Sequence, residues 1–197
     1  MKRVAAACLL LFGLFAVGIG VGKQTGLPLF QRAAKAPPGE FPVLDPSPPR
    51  QIRIPSIGVD APVHGVGREG DGSIAVPSLK LRNEAGWYRE GPSPGEYGPA
   101  IVVGHVDTKD KPAVFHRLKE VAPGARIEIA RRDRTVAIFE VNSVEQYSKR
   151  AVPSNVYHDY TRPALRLITC GGNWVGGDTG YADNIVVFAS LIASRPK

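Results

Sequence analysis

The chain has 197 residues, 43% hydrophobic and 22% charged, which is the composition of a folded protein with room for one domain. Its 22 glycines and 18 prolines make up about a fifth of the residues, so turns are frequent and a helical bundle is disfavoured. The net charge of +7 is no signature of nucleic-acid binding: residues 1–50 hold six Lys/Arg against two Asp/Glu, leaving only +3 for the rest. Phosphate-backbone binding needs a dense basic patch.

Lys2 and Arg3 precede an uncharged run of 19 residues, Val4 to Gly22. As a helix this run would span roughly 28 Å, close to the thickness of a bilayer core. The flanking positive charges put the amino terminus in the cytoplasm and everything after Gly22 outside. A cleaved signal peptide would need a shorter apolar region and a small-x-small cleavage site, so residues 1–22 read as an uncleaved anchor. Cys8 falls inside the apolar run, where it acts as a small apolar residue.

Residues 23–50 contain seven prolines and no apolar period, the pattern of a semi-rigid, polyproline-like spacer. The exported folded domain is then residues 51–197, 147 residues with enough chain for one sizeable core.

Within it, runs of period two recur between turn signals: 51–55, 73–77, 100–105, 126–130, 135–141, 164–170 and 184–192. Helical signals are short, at Pro112 to Val121 and Pro153 to Tyr160. Many short strands with one or two short helices predict an all-β domain closed into a barrel of about eight strands.

Cysteine usage is the most informative chemical signal. The exported part has a single cysteine, Cys170, in a compartment where thiols are normally paired. A free thiol there is a nucleophile, an intermolecular bridge or a small buried hydrophobe. Cys170 ends the strand-like run Leu165-Arg166-Leu167-Ile168-Thr169 and is followed by Gly171-Gly172, which lets a substrate backbone approach the sulfur. Only the thiolate attacks, so a base or cationic neighbour is required. Of His64, His105, His116 and His158, His105 stands out because it too ends an apolar strand, Ala100 to Gly104. Two rival readings remain at this point. One takes His105 and Asp107, with His116 or His158, as ligands of a metal-dependent hydrolase, although the spacing matches no zinc pattern. Alternatively, Gly104-His105 and Cys170-Gly171 are only strand-end turns in a non-catalytic, wall-associated binding barrel.

The order of anchor, spacer, barrel, Gly104-His105-Val106-Asp107 and Leu167-Ile168-Thr169-Cys170 resembles the sortases, cysteine transpeptidases of Gram-positive surfaces. The Cys170-Gly171-Gly172 and Tyr181-Ala182-Asp183-Asn184-Ile185-Val186-Val187-Phe188-Ala189 runs are similar to the actinobacterial class F subgroup. The resemblance implies a sortase-like barrel with Cys170 as nucleophile and His105 as acid and base. It further implies cleavage of a Leu-Pro-x-Thr-Gly-like sorting signal on surface proteins and transfer to a peptidoglycan precursor or another amine, at the outer face of the cell membrane and with no metal or organic cofactor. It places the segment from Ser148 to Arg162, with Pro153, Val156 and Tyr157, against the Leu-Pro part of the signal. The glycine-rich stretch 171–183 reads as a loop over the site.

One departure matters. Sortases carry an arginine on the strand after the cysteine, and this chain has none between Gly171 and Ser194. Register places Asn184 there, an amide that can donate to an oxyanion without charge. Arg166 shares the face of Cys170 but stands roughly 13 Å away along the strand. Arg89 and Arg117 are the other arginines open to that role.

Overall fold

A computed structural model describes residues 41–197. The run read as a membrane anchor and most of the spacer lie outside these residues; among those described, no helix is long and apolar enough to cross a membrane.

The strands are β1 (Pro49–Ile54), β2 (Val59–Val66), β3 (Ala85–Tyr88), β4 (Gly98–Val103), β5 (Arg126–Arg131), β6 (Thr135–Ser148), β7 (Pro163–Gly176) and β8 (Gly180–Pro196). They close into a barrel in the order β1-β2-β3-β4-β7-β8-β6-β5, with β5 pairing back onto β1. Closure leaves no open sheet edge. Two neighbouring pairs are parallel, β2 with β3 and β4 with β7; the others are antiparallel. The all-β barrel expected from the sequence is therefore present, with eight strands.

Alternation along each strand sorts side chains into two cores. Ile52, Ile54, Val102, Ile127, Ile129, Phe139, Leu165, Leu167 and Val187 fill the barrel, and Phe115 and Leu118 from the β4–β5 connection join them. On the outer face, Ile101, Val103, Ile168 and Val186 pack with Val66 and Tyr88 on one side and Val156 on the other. The second core covers one wall of the barrel and leads to the carboxyl end of β4 and the middle of β7.

Several local expectations change. Residues 73–77 form no strand: only Ile74 makes an isolated bridge, to Arg68, and the segment belongs to the β2–β3 connection. β2 and β3 had no period-two signal, because β2 is broken by Pro62 and Gly65 and β3 is only four residues, all buried. The Pro112–Val121 stretch is mostly turns, with one 3-10 turn at Leu118–Glu120, and the second helical signal is the four-residue α1 (Asn155–His158). Residues 171–183 are no open loop: β7 and β8 pair beyond Cys170 to Gly176↔Gly180, and the tip is a 3-10 turn at Gly177–Thr179. Gly176, Gly177 and Gly180 have φ of 77°, 56° and 63°, the left-handed backbone that such a tight reversal demands.

Part of the segment read as spacer packs on the barrel. The Leu44 amide donates to Gly95 O at 2.9 Å, the Ser47 amide to Ser93 Oγ at 2.9 Å, and Asp133 N to Ser47 Oγ at 3.1 Å. The buried Arg131 guanidinium donates to Asp45 O and pairs with Asp133 at 3.2 Å. Residues 44–48 are thus laid against the barrel before β1 begins.

Candidate active site

β4 and β7 are parallel neighbours, so the carboxyl end of β4 lies beside the middle of β7; Cys170 is not at a strand end, as the sequence suggested, because β7 runs on to Gly176, and about 65 residues separate it from His105 in sequence. The ladder runs from Gly98↔Pro163 to Val103↔Ile168, and Gly104 N still donates to Ile168 O at 3.1 Å. Carried on by two residues, this register sets His105 beside Cys170. Directly paired residues of neighbouring strands point to the same face about 5 Å apart. That face is the outer one: Ile101 and Val103 precede His105 on it, and Arg166 and Ile168 precede Cys170.

Thr169 faces the opposite way and is buried, and its Oγ1 donates to Gly104 O at 2.8 Å. This bond ties the peptide entering His105 to the residue before Cys170. Thr169 therefore aligns the two strands, a role that the Thr-Cys sequence alone did not reveal.

Cys170 is a free thiol and half-buried. His105 is also half-buried, and its Nε2 lies 2.6 Å from Pro77 O in the β2–β3 connection. A carbonyl only accepts, so Nε2 carries a proton and Nδ1 is the nitrogen left for proton exchange. Asn184 is the direct β8 partner of Cys170. Its side chain shares the outer face, since Val186 and Phe188 follow it there. Tyr147 on β6 pairs with Asn184 in turn, so the row across this face reads His105, Cys170, Asn184, Tyr147.

The other candidate residues lie elsewhere or are committed. His64 pairs with Glu84 at 3.1 Å, His116 donates from Nδ1 to Val106 O at 3.2 Å, and His158 is exposed at the end of α1. Arg117 is exposed and bound to Glu120 at 2.7 Å, and Arg89 is exposed. Arg166 is 3% exposed, with Nη2 at 3.2 Å from Asp159 and the guanidinium 4.5 Å from the centre of the Phe188 ring. Burial pushes its pKa below the usual arginine range, opposed by the Asp159 carboxylate. Arg166 pins the β6–β7 connection against the barrel instead of reaching Cys170.

That connection carries α1, whose Val156 is fully buried in the outer core, with Val152 and Tyr157 packed beside it. Burial raises the Tyr157 hydroxyl pKa. Ile74 and Ala75 of the β2–β3 connection pack on the other flank. Two connections thus cover this outer core, which includes Val103 and Ile168, each two residues before His105 and Cys170. Asp107 gives its carboxylate to the Tyr181 hydroxyl, and among the described residues no three His, Cys, Asp or Glu side chains converge as metal ligands would. Neither observation favours the metal reading of His105 and Asp107.

Comparison with known proteins adds the lineage. The sortase-domain family model matches residues 52–192. No curated protein sequence matches the chain. Among solved structures, sortase A of Listeria monocytogenes is similar at 18% identity and a TM-score of 0.57, over 78% of this chain and 92% of that one. Sortase C-1 of Actinomyces oris is similar at 20% identity and a TM-score of 0.56, over 73% of each chain. Sortase A of Corynebacterium diphtheriae is similar at 16% identity and a TM-score of 0.57, over 75% of this chain and 62% of that one. At these identities the structural likeness speaks for the fold, and the family model covering most of the chain speaks for descent: the protein is a member of the sortase family of cysteine transpeptidases.

Proposed function

We propose that Cys170 and His105 perform the transpeptidation, acting on a Leu-Pro-x-Thr-Gly-like signal of secreted surface proteins. The observation that carries this reading is the parallel pairing of β4 with β7: carried past Val103↔Ile168, its register puts the imidazole that follows β4 and the free thiol within β7 on one face, next to the outer core. An extended peptide laid beside the β6–β7 connection would seat its Leu-Pro part against the half-buried Pro153 and Tyr157, while Val156, expected to share that wall, is fully buried beneath them, and would bring its Thr carbonyl to the sulfur.

Cys170 Sγ, as thiolate, attacks the Thr carbonyl carbon. As the tetrahedral intermediate collapses, the Thr–Gly C–N bond breaks, and the imidazolium gives its Nδ1 proton to the departing glycine amine. An acyl-thioester remains on Cys170. An incoming amine, from a peptidoglycan precursor or a comparable acceptor, then loses a proton to Nδ1 and attacks the thioester, releasing the thiolate. Pro77 O, by holding Nε2–H, keeps the ring in the tautomer that this exchange needs. Asn184, beside Cys170, is the amide donor placed to meet the oxyanion. A neutral donor gives a weaker bond than a guanidinium would.

The leader completes the picture. With residues 1–22 as a signal-anchor and 23–43 as spacer, the barrel would work at the outer membrane face on substrates emerging beside it. The Cys-Gly-Gly and Tyr-Ala-Asp-Asn runs support assignment to the class F subgroup.

The test incubates the full chain with a panel of sorting-signal pentapeptides and an amine, and seeks thioester on Cys170 by mass spectrometry. Cys170→Ala abolishes both capture and cleavage, and His105→Ala removes turnover. A Cys170→Ala protein that still cleaves ends this reading.

A further inference from the structure

We infer that Tyr181 and Asp107 form a positioning pair that holds His105 against Cys170. The inference rests on the transpeptidase reading and goes beyond it by naming what sets the geometry of the pair.

The β4–β7 ladder stops at Val103↔Ile168. Just before His105, the Gly104–Ile168 and Thr169–Gly104 hydrogen bonds still join the two strands. Just after it, the chain leaves the sheet. Residues 106–116 close on themselves through the Asp107↔Pro112 bridge, Thr108 N to Lys111 O at 2.8 Å and Ala113 N to Val106 O at 3.1 Å. None of those bonds touches the hairpin that carries Cys170. Tyr181, on that hairpin, does: its hydroxyl donates to Asp107 Oδ2 at 2.5 Å. Among the described residues this is the single side chain–side chain hydrogen bond between the loop after His105 and the β7–β8 hairpin.

Tyr181 is itself held. Its backbone pairs with Trp174 across the hairpin, and the two rings meet edge to face with centroids 5.2 Å apart. Both Tyr181 and Asp107 are half-buried. The phenol pKa is raised, chiefly by the bond to Asp107, then by burial and the Asp107 charge, with a contribution from Cys170. The hydroxyl therefore keeps its proton, and the bond, through neutral pH. His105 is bracketed by a tie one residue before it and a tie two residues after it. A hydrogen bond to a carboxylate is about twice as strong as a neutral one, and a displacement of about 1 Å at a reacting group costs about a hundredfold in rate.

The experiment compares the full-length wild type with Tyr181→Phe, Asp107→Ala, Asp107→Asn and the Tyr181→Phe/Asp107→Ala double variant. It measures kcat and KM for peptide-to-amine transfer, and the pH profile of Cys170 alkylation by iodoacetamide, which needs no peptide. Tyr181→Phe and Asp107→Ala each lower kcat about 10- to 100-fold with KM within about twofold, and the double variant is no worse than either. Asp107→Asn, whose amide oxygen still accepts from the phenol, stays within about threefold of wild type. The alkylation profile moves by about half a pH unit in Tyr181→Phe, because the imidazole–thiol separation changes. Losses that simply add in the double variant overturn the pairing. If the wild type transfers and Tyr181→Phe matches it in kcat and in profile, the pairing falls while the transpeptidase reading stands. A wild type that transfers nothing while Tyr181→Phe still shifts the profile leaves the pairing and sinks that reading.

Discussion

Gly104, which precedes His105, offers a direct test of how tightly this end of the barrel is packed. A Cβ at this position would stand 2.6 Å from Phe115 Cδ2 and 2.6 Å from Val114 Cγ1. Carbon contacts settle at about 3.5–4.0 Å, so the methyl of Gly104→Ala intrudes by about 1 Å on two neighbours. Phe115 is fully buried among barrel residues and has no open space to swing into. Overpacking of this kind costs about 1–3 kcal/mol. For a chain of this size, about 2 kcal/mol lowers Tm by about 4–8 °C. The strain also displaces the adjoining His105, so transfer falls about a hundredfold at a temperature where the variant is still folded. Thermal and urea unfolding together with the peptide–amine assay measure both effects. Adding Phe115→Leu, which removes the ring edge, restores part of the loss, so the two substitutions are less than additive. A Gly104→Ala protein that melts within about 1 °C of wild type and transfers at the wild-type rate would refute the packing argument.

Three further outcomes follow from the same geometry. Thr169→Val leaves the buried Gly104 carbonyl without its 2.8 Å partner and lowers the urea-unfolding free energy by about 1–2 kcal/mol, whereas Thr169→Ser stays near wild type. A chain begun at Gln51 lacks the Leu44, Asp45 and Ser47 contacts and is less stable by about 3 kcal/mol than one begun at Phe41; equal urea midpoints would show that these contacts contribute nothing. Asp159 accepts from the Thr161 hydroxyl at 2.6 Å, which with Arg166 holds its carboxyl below the usual range against the opposing effect of burial. Its contribution to stability is present above the unfolded carboxylate pKa of about 3.9 and is lost as pH falls through the lower folded value. Urea midpoints between pH 7 and pH 2 therefore fall less steeply for Asp159→Asn than for wild type, and parallel curves would exclude the effect.

Strands with clean alternation were legible in the sequence because each has one face in the barrel and a different environment on the other. β4, β5, β6, β7 and β8 all appear where period two predicts them, though β6, β7 and β8 run longer. β3 was missed because it is only four residues long; β4 is buried on both faces as well, yet its longer run of Ile and Val residues marks it as a strand. Residues 73–77 alternate for another reason: Ile74 and Ala75 cover the outer core from a loop. The seven prolines concealed that residues 44–48 bind the barrel, chiefly through the backbone of Leu44, Asp45 and Ser47 with the Ser47 hydroxyl and the Leu44 side chain added.

Composition together with the expected export of the domain singled out Cys170, since an unpaired thiol in an oxidising compartment is a chemical anomaly whatever the fold. They also marked His105 as a strand-end histidine. That the two are neighbours was decided only by the tertiary structure. β4 and β7 pair in parallel, with β5 and β6 routed to the far side, so the chain leaving the end of β4 meets the middle of β7 about 65 residues later in sequence. Pairing partners across a crossover leave no local trace, because hydrophobic period specifies which face a strand buries and not which strand lies beside it. The same holds for Pro77 O on the imidazole and for Tyr181 on Asp107. Both contacts join segments whose own sequences satisfy purely local rules, and both exist only once the barrel has closed.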